Sequence, residues 1–370
     1  MVTTMLSYGD TLLENEFIES LPISKLSSHF LNSDIITFNL ETVISDSITS
    51  SIDKAFNFKT STRNLKDFKS ILSDKLLVCN IANNHILDFG VEGLKDTIEN
   101  MIKLDFSFVG YSQNLKVEEG ILFREVNGIK FAFLGAHNAD NVTVHKPGLT
   151  SLDESLCAKV NYAKHKSDFV ILHLHWGEEL SVCPSPNQVK FAHMLIESGV
   201  DVILGHHPHI LQSIENYKNG IIAYSQGNFQ MITYDYSIKT KISMILSFEF
   251  NQKKVSYKII PVVINKRIPN LIQDPINAKL YSEYMIEADY YFKKNSWFMF
   301  YIYTSKQYLI DSLQAWKIRL NKREKRLVLK ILRWLLSKKT ITMFLFLPFN
   351  LVFVNSISRK IIRKSKEKTL

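Results

Sequence analysis

The stretch VILGHHPHIL, residues 202–211, places three of the chain's eleven histidines in four positions. An apolar run of strand length, Val202 to Leu204, feeds directly into Gly205, His206, His207, Pro208 and His209. Such a segment has no evident packing purpose, but it has a chemical one. Neutral imidazole and carboxylate are the usual ligands of divalent transition metals. Side chains alternate along an extended segment, so His207 and His209 are expected on one side and His206 on the other.

Other runs behave in the same way. DIITFNL (34–40), KLLVCNI (75–81) and DFVILHLH (168–175) are apolar, of strand length, and end in polar residues. VEGLKDTIENMIKL (91–104) and NQVKFAHMLIES (187–198) carry apolar positions at helical spacing. Strand, polar loop, helix and strand in succession predict an α/β sheet with its site at the strand ends. Asn127-Gly128 and Asn219-Gly220 each interrupt two strand-like runs and predict hairpins. KISMILSFEFNQKKVSYKIIPVVI (241–264) reads as two further antiparallel strands. Mixed sheets are therefore expected.

The chemistry-bearing residues cluster behind these strands. YGD (8–10) offers Asp10, and FNLE (38–41) offers Asn39 and Glu41. NIANNHILDFG (80–90) offers Asn83, Asn84, His85 and Asp88. HLHWGEE (173–179) offers His173, His175 and Glu179, and SQGNF (225–229) offers Gly227 and Asn228. Each has a bland explanation when taken singly. Asp10 suits a turn, Asn83-Asn84 a helix cap, and Asp88-Phe89-Gly90 a turn before a helix. His173, inside an apolar strand, reads as a hydrogen-bonded core residue. Jointly, all follow strands in one α/β pattern, and that points to a metal site.

In this order, GD, NLE, NNHxLDFG, HWGxE, GHHPH and GNF resemble the CapA-type family of capsule and poly-γ-glutamate synthesis proteins, within the calcineurin-like metallophosphoesterase superfamily. The likeness covers roughly residues 5–265 by motif placement. It implies an α/β/β/α sandwich of two mixed sheets. It further implies two divalent ions (Mn, Fe or Zn) held by Asp10, Glu41, Asn84, His175, His207 and His209. By the same resemblance His85 stabilises the leaving group, with Asp88 beside it. Asn39, Asn83, Glu179, His206, Gly227 and Asn228 would support the ligands or contact substrate. Two departures stand out. Leu12 occupies the place of a histidine in the superfamily's first motif, and Glu41 that of a bridging aspartate.

The resemblance implies a metal-dependent phosphoesterase linked to capsule or cell-surface polymer synthesis. Its substrate would be phosphorylated or polymeric, and its partners capsule-synthesis proteins. The alternative is a non-hydrolytic accessory subunit of such an assembly. Loops 43–70 and 136–150 are placed to choose the substrate but carry no readable code.

Composition bounds the rest. Cys79, Cys157 and Cys183 form no CxxC pair, which argues against a disulfide framework or thiolate zinc site and suits a reducing compartment. MVTTMLSYGD has no basic segment followed by an apolar one, so no signal peptide is read and a cytoplasmic location is expected. The net charge of +9 is uneven. Residues 315–370 hold sixteen Lys/Arg against two acids, a local +14 that leaves −5 for residues 1–314. The expected division is a domain over 1–268 and a helical, basic C-terminal region over 269–370. Within the latter, ITMFLFLPFNLVFVNSI (341–357) is short for a spanning helix and contains Pro348 and Asn350. Its basic flanks suit peripheral contact with an anionic membrane surface. No nucleic-acid-binding motif accompanies the basic tail.

Overall fold

The computed structural model describes residues 2–304, except 22–23, 50–55, 138–147, 232–237, 253, 295, 299, 302 and 303, together with Leu345. The chain opens with β1 (Thr3–Thr11), the short helices α1 (Asn15–Ser20) and α2 (Ser27–Leu31), and β2 (Ile35–Leu40). β3 (Val43–Ile44), β4 (Lys59–Thr60), α3 (Thr62–Ile71), β5 (Leu76–Asn80) and α4 (Gly90–Lys103) follow. Next come β6 (Ser107–Val109), β7 (Tyr111–Ser112), β8 (Leu122–Val126), β9 (Ile129–Ala136) and β10 (Gly148–Leu149). α5 (Ser155–Lys164), β11 (Phe169–His175), α6 (Pro186–Glu197) and β12 (Val202–His206) alternate after them. The described elements end with β13 (Ile214–Tyr217), β14 (Gly220–Ala223), β15 (Asn228–Gln230), β16 (Ile242–Phe250), β17 (Val255–Asn265), β18 (Ile268–Leu271) and α7 (Pro275–Lys293).

Two mixed sheets carry the fold. The first runs β18-β17-β16-β1-β2-β5-β6, with β15 also pairing β1. Its β1, β2, β5 and β6 are parallel, and β16 to β18 antiparallel. The second runs β13-β14-β12-β11-β9-β8, with a parallel centre and an antiparallel hairpin at each edge.

Side-chain alternation assigns the faces. Tyr8, Phe38, Leu77 and Cys79 pack with Phe17, Phe30, Phe68 and Leu94 from α1 to α4. Met5, Ile35, Val78, Met244 and Phe248 meet Phe131, Phe133, Ile171, Val202 and Leu204 between the sheets. Val170, Leu172 and Ile203 pack with Leu156, Val160 and Leu195 from α5 and α6. Three cores between four layers make an α/β/β/α sandwich, as the sequence implied. Each such buried side chain contributes roughly 1.5–3 kcal/mol.

The middle core changes character along the strands. On the inward faces, Ile35, Val78, Ile171, Val202 and Leu204 are apolar. Continuing with the same parity, Thr37 and Asn39, Asn80, His173 and His175, and His206 are polar and fully buried. One end of the sheet-on-sheet interface is therefore apolar, and the other is a buried polar site.

The Asn127-Gly128 hairpin forms as expected, with both residues at positive φ (52° and 74°). The second hairpin turns one residue earlier than expected, at Lys218-Asn219, with Lys218 at φ 52° and Gly220 already paired with Tyr217. Gly220 serves packing instead, since a Cβ there would lie 2.5 Å from Ile196 Cδ1 of α6.

The first sheet also runs beyond residue 268, so the division drawn at 268/269 falls inside β18. β18 is an edge strand, where Pro269 is tolerated. Its turn, Lys266-Arg267, holds both residues at positive φ (47° and 68°), and neither residue type advertises that conformation. α7 starts at an Asp274 cap followed by Pro275 and buries Tyr284, Ala288 and Tyr291. Among the described residues, no helix is long and apolar enough to cross a membrane. Residues 305–340 and 341–357, Leu345 apart, lie outside the described residues, as do the basic residues that follow them.

Candidate metal centre

Asp10 is placed by a backbone approach that only glycine permits. A Cβ on Gly9 would lie 1.8 Å from Gly227 O, and Asp10 N donates to that oxygen at 3.1 Å. β1 is irregular at this point, and Asp10 pairs with both Asn39 and Asn228. Gly227, at φ 70°, thus acts through its backbone, seating Asp10. Glu41 follows β2 directly, its N–H bonded to Thr11 O at 2.9 Å.

Glu41 Oε1 occupies the centre of the site. It lies 3.7 Å from His175 Nε2 and 3.9 Å from both His209 Nε2 and His85 Nε2. Donor atoms of Asp10, Glu41 and His175 fall within 4.8 Å of one another, as do those of Glu41, His207 and His209. The two sets share Glu41.

Asn39 ties the carboxylates to the imidazoles. Its Nδ2 donates to Asp10 Oδ1 at 2.9 Å and Glu41 Oε2 at 3.4 Å, and lies 3.2 Å from His175 Nδ1. Its Oδ1 accepts from Asn80 Nδ2 at 2.9 Å and Asn83 Nδ2 at 3.4 Å. Asn83 Oδ1 in turn accepts from the backbone of His85 and Ile86. Asn84 Oδ1 lies 2.8 Å from His175 Nε2. Asn228 Nδ2 donates to Thr240 O, which leaves its Oδ1 to accept from His209 Nδ1 at 2.9 Å and turns Nε2 toward Glu41.

His207 and His209 do converge, with ring centroids 5.9 Å apart. Strand alternation is not the cause, because β12 ends at His206. Both residues take left-handed backbone, φ 95° for His207 and 57° for His209. Gly205 lies within β12, where a Cβ would sit 2.0 Å from Tyr224 O.

His206 stacks on His173 at 5.2 Å. Its Nδ1 lies 3.5 Å from Asp10 Oδ1, its Nε2 is 3.0 Å from His173 Nδ1, and His173 Nε2 reaches Thr37 Oγ1 at 2.7 Å. His173 is thus the hydrogen-bonded core residue expected, and both rings brace Asp10 from behind. Leu12, in the place of the missing histidine, is buried.

His85 Nδ1 lies 2.7 Å from Asp88 Oδ2, which also accepts from Phe58 N at 2.8 Å. Phe58, Asn80, Thr37 and His137 carried no signal that singled them out. His137 donates from Nδ1 to His175 O at 2.7 Å and packs edge-on to that ring.

Electrostatics follow from burial. Desolvation holds His175 well below the ordinary imidazole range, helped by His207 and His137. Burial likewise pushes His207 down to about 4. Burial would lower His209 too, but Asp10, Glu179 and Asn228 outweigh it and raise its pKa. Burial would raise Asp10, but His206 and His209 hold it well below the carboxylate range. Glu41 is raised well above that range, first by burial and then by Asp10, Glu179 and Asp88. Glu179 therefore acts on the site by charge.

This donor set fits a divalent cation. Glu41 Oε1 is fully buried and has no hydrogen-bond partner, a costly state that a cation relieves. Neutral imidazoles and carboxylates are the ligands such ions take, and Mn, Fe and Zn all accept an O/N set.

The fold and site define a two-sheet α/β protein with a His/carboxylate cluster at its strand ends. A family model described as bacterial capsule synthesis protein PGA_cap matches residues 4–232, and the chain belongs to that family. It is 30% identical over 298 residues to the capsule biosynthesis protein CapA of Bacillus anthracis, spanning 74% of this chain and 70% of that one. It is 30% identical to the PGA biosynthesis protein CapA of Bacillus subtilis, over 59% of this chain and 58% of the relative. A probable polyglutamine synthesis accessory protein of Mycobacterium tuberculosis is 28% identical, over 53% and 55%. Among solved structures, a phosphatase from Mycoplasma pneumoniae aligns with a TM-score of 0.45 at 15% identity, covering 75% of this chain and 97% of that one.

Proposed function

We propose that the chain is a metal-dependent phosphoesterase acting on a phosphorylated cell-surface polymer, its carrier or its precursor. The observation that carries this reading is the buried, unpartnered Glu41 Oε1 at the meeting point of three imidazole nitrogens. Asp10, Glu41 and His175, with Asn84 beside them, would hold one ion, and Glu41, His207 and His209 another. Bound there, divalent ions supply Lewis acidity toward a phosphoryl oxygen and lower the pKa of water.

The chain's own residues do the remainder. His85 presents Nε2 at the edge of the donor cluster and gives its proton to the departing ester oxygen, which keeps the electron pair of the broken P–O bond. A water oxygen forms the new P–O bond and loses its proton to solvent. Asp88 accepts from His85 Nδ1 and stabilises the imidazolium without taking its proton. Asn39 and Asn228 fix the ligand side chains.

The test is hydrolysis of 4-nitrophenyl phosphate and bis(4-nitrophenyl) phosphate with added Mn²⁺, with the Asn84→Ala/His85→Ala variant as control. Turnover by the wild type alone supports the reading. Bound metal without turnover supports the second reading, a non-hydrolytic accessory subunit of a capsule or polyglutamate assembly complex. The name of the mycobacterial relative and Leu12 in place of a ligand favour that alternative.

For the basic C-terminal region we propose peripheral attachment to an anionic membrane surface beside the assembly machinery, where each basic residue near the surface contributes about 1 kcal/mol. Flotation of the full chain with anionic but not neutral vesicles, reversed by salt, is the expected result. Failure to float at low salt, or resistance to alkaline extraction from membranes, sinks it.

A further inference from the structure

Phe58 lies between the His85–Asp88 pair and the segment that follows Glu41. Its N–H donates to Asp88 Oδ2 at 2.8 Å, the oxygen that also lies 2.7 Å from His85 Nδ1. Its carbonyl accepts from Val43 N at 3.2 Å, two residues beyond Glu41. Its ring lies against His85, with centroids 4.4 Å apart and planes tilted by 47°. Asn57 Nδ2 adds a bond to Asp88 O at 3.2 Å, and the Phe56 ring lies nearly parallel to Phe58 at 6.4 Å. One short segment of the connection between β3 and β4 therefore touches both members of the His85–Asp88 pair. It also anchors to the chain that carries Glu41.

We propose that Phe58 is a positioning residue for His85, an inference that rests on reading His85 as the leaving-group acid. The torsion that turns an imidazole is broad and roughly two-fold, so a ring contact adds to the restraint that hydrogen bonding gives. The Phe58 ring, packed on the imidazole, narrows its swing, with Nε2 3.9 Å from Glu41 Oε1. The same ring shields the Nδ1–Asp88 bond from water, and a hydrogen bond in a low-dielectric setting is stronger. The Phe58 peptide, held by Asp88 on one side and Val43 on the other, sets the distance between the acid and the Glu41 segment.

A leaving-group series tests this. Phe58→Ala retains the backbone N–H and removes only the ring. On phenyl and alkyl phosphates, which need a proton at the departing oxygen, turnover should fall by roughly ten- to a hundredfold, within the range of general acid catalysis. On 4-nitrophenyl phosphate, whose leaving group needs no proton, the loss should stay under about threefold. Metal content should match the wild type, and Phe58→Leu should recover most of the difference. Independently of activity, selective ¹⁵N labelling of histidine should show a slowly exchanging ring N–H, assigned by its loss in His85→Ala. It should persist in Phe58→Leu and disappear in Phe58→Ala. An unchanged leaving-group dependence together with an unchanged ring N–H signal in Phe58→Ala overturns the proposal. A wild type that hydrolyses no ester overturns the phosphoesterase reading instead, and the ring signal then decides the positioning role alone.

Discussion

Glu41 Oε1 lies 3.7 Å from His175 Nε2, too far for a hydrogen bond, and both side chains are completely buried. Donors sharing one ion at bond lengths of about 2.0–2.2 Å are separated by roughly 3–4 Å. Without an ion, the pair is a buried carboxylate beside a desolvated imidazole, each pushed toward its neutral form. Glu41→Gln should therefore weaken metal binding yet stabilise the chelated protein, by about 1–3 kcal/mol for relief of an unsatisfied buried group. Thermal melts of wild type and variant, each with EDTA and with Mn²⁺, check this. A variant less stable than wild type in EDTA would show that Glu41 is satisfied without a cation.

The histidines divide into two roles. His207→Ala and His209→Ala each remove a donor from the set shared with Glu41 and should lose metal on elemental analysis. His85→Ala should keep its metal and, on alkyl phosphates, whose leaving group needs a proton, lose turnover by about 10²–10⁴-fold. Equal metal loss in all three variants would make His85 a ligand.

The positions of the site were legible because the inward strand faces keep parity. Once strand 168–175 is apolar at Ile171, the same face must carry His173 and His175, and both are buried there. What lay beyond the strands was less so. The convergence of His207 and His209 depends on left-handed backbone at two non-glycine residues, which alternation does not foresee. Lys266-Arg267 turns as Asn-Gly would, with no sequence mark. Phe58 enters the site from a loop whose register is set by Asp88, thirty residues away. Asn219-Gly220 does not form the turn itself, because its glycine answers to the close packing of Ile196 from α6.

Acid should destabilise the metal-free protein through His207. Its folded pKa of about 4 lies below the ordinary 6.5, so the unfolded chain takes the proton first. The stability His207 contributes is present above pH 6.5 and is lost as pH falls toward 4. In EDTA, urea midpoints of the wild type should drop more steeply over this window than those of His207→Gln. Parallel curves would mean that the ring is protonated as readily in the folded state as in the unfolded one.

Asn39 should matter more than any single ligand's neighbour, because its amide uses both ends. Nδ2 faces Asp10, Glu41 and His175, while Oδ1 accepts from Asn80 and Asn83. Asn39→Ala leaves Asp10 Oδ1 without its 2.9 Å donor and removes the longer bond of Asn83 Nδ2, which keeps Leu40 O at 2.8 Å. Loss of such a supporting partner typically costs about 10–100-fold in metal affinity or activity. Asn39→Asp keeps the shape but sets a third carboxylate against Asp10 and Glu41, so it should be the worse variant in EDTA and partly recover when metal is added. Titration of both variants with Mn²⁺, read by calorimetry and by melting temperature, separates the effects. If Asn39→Ala binds metal as tightly as the wild type, the amide is packing alone and the cluster is organised by its backbone.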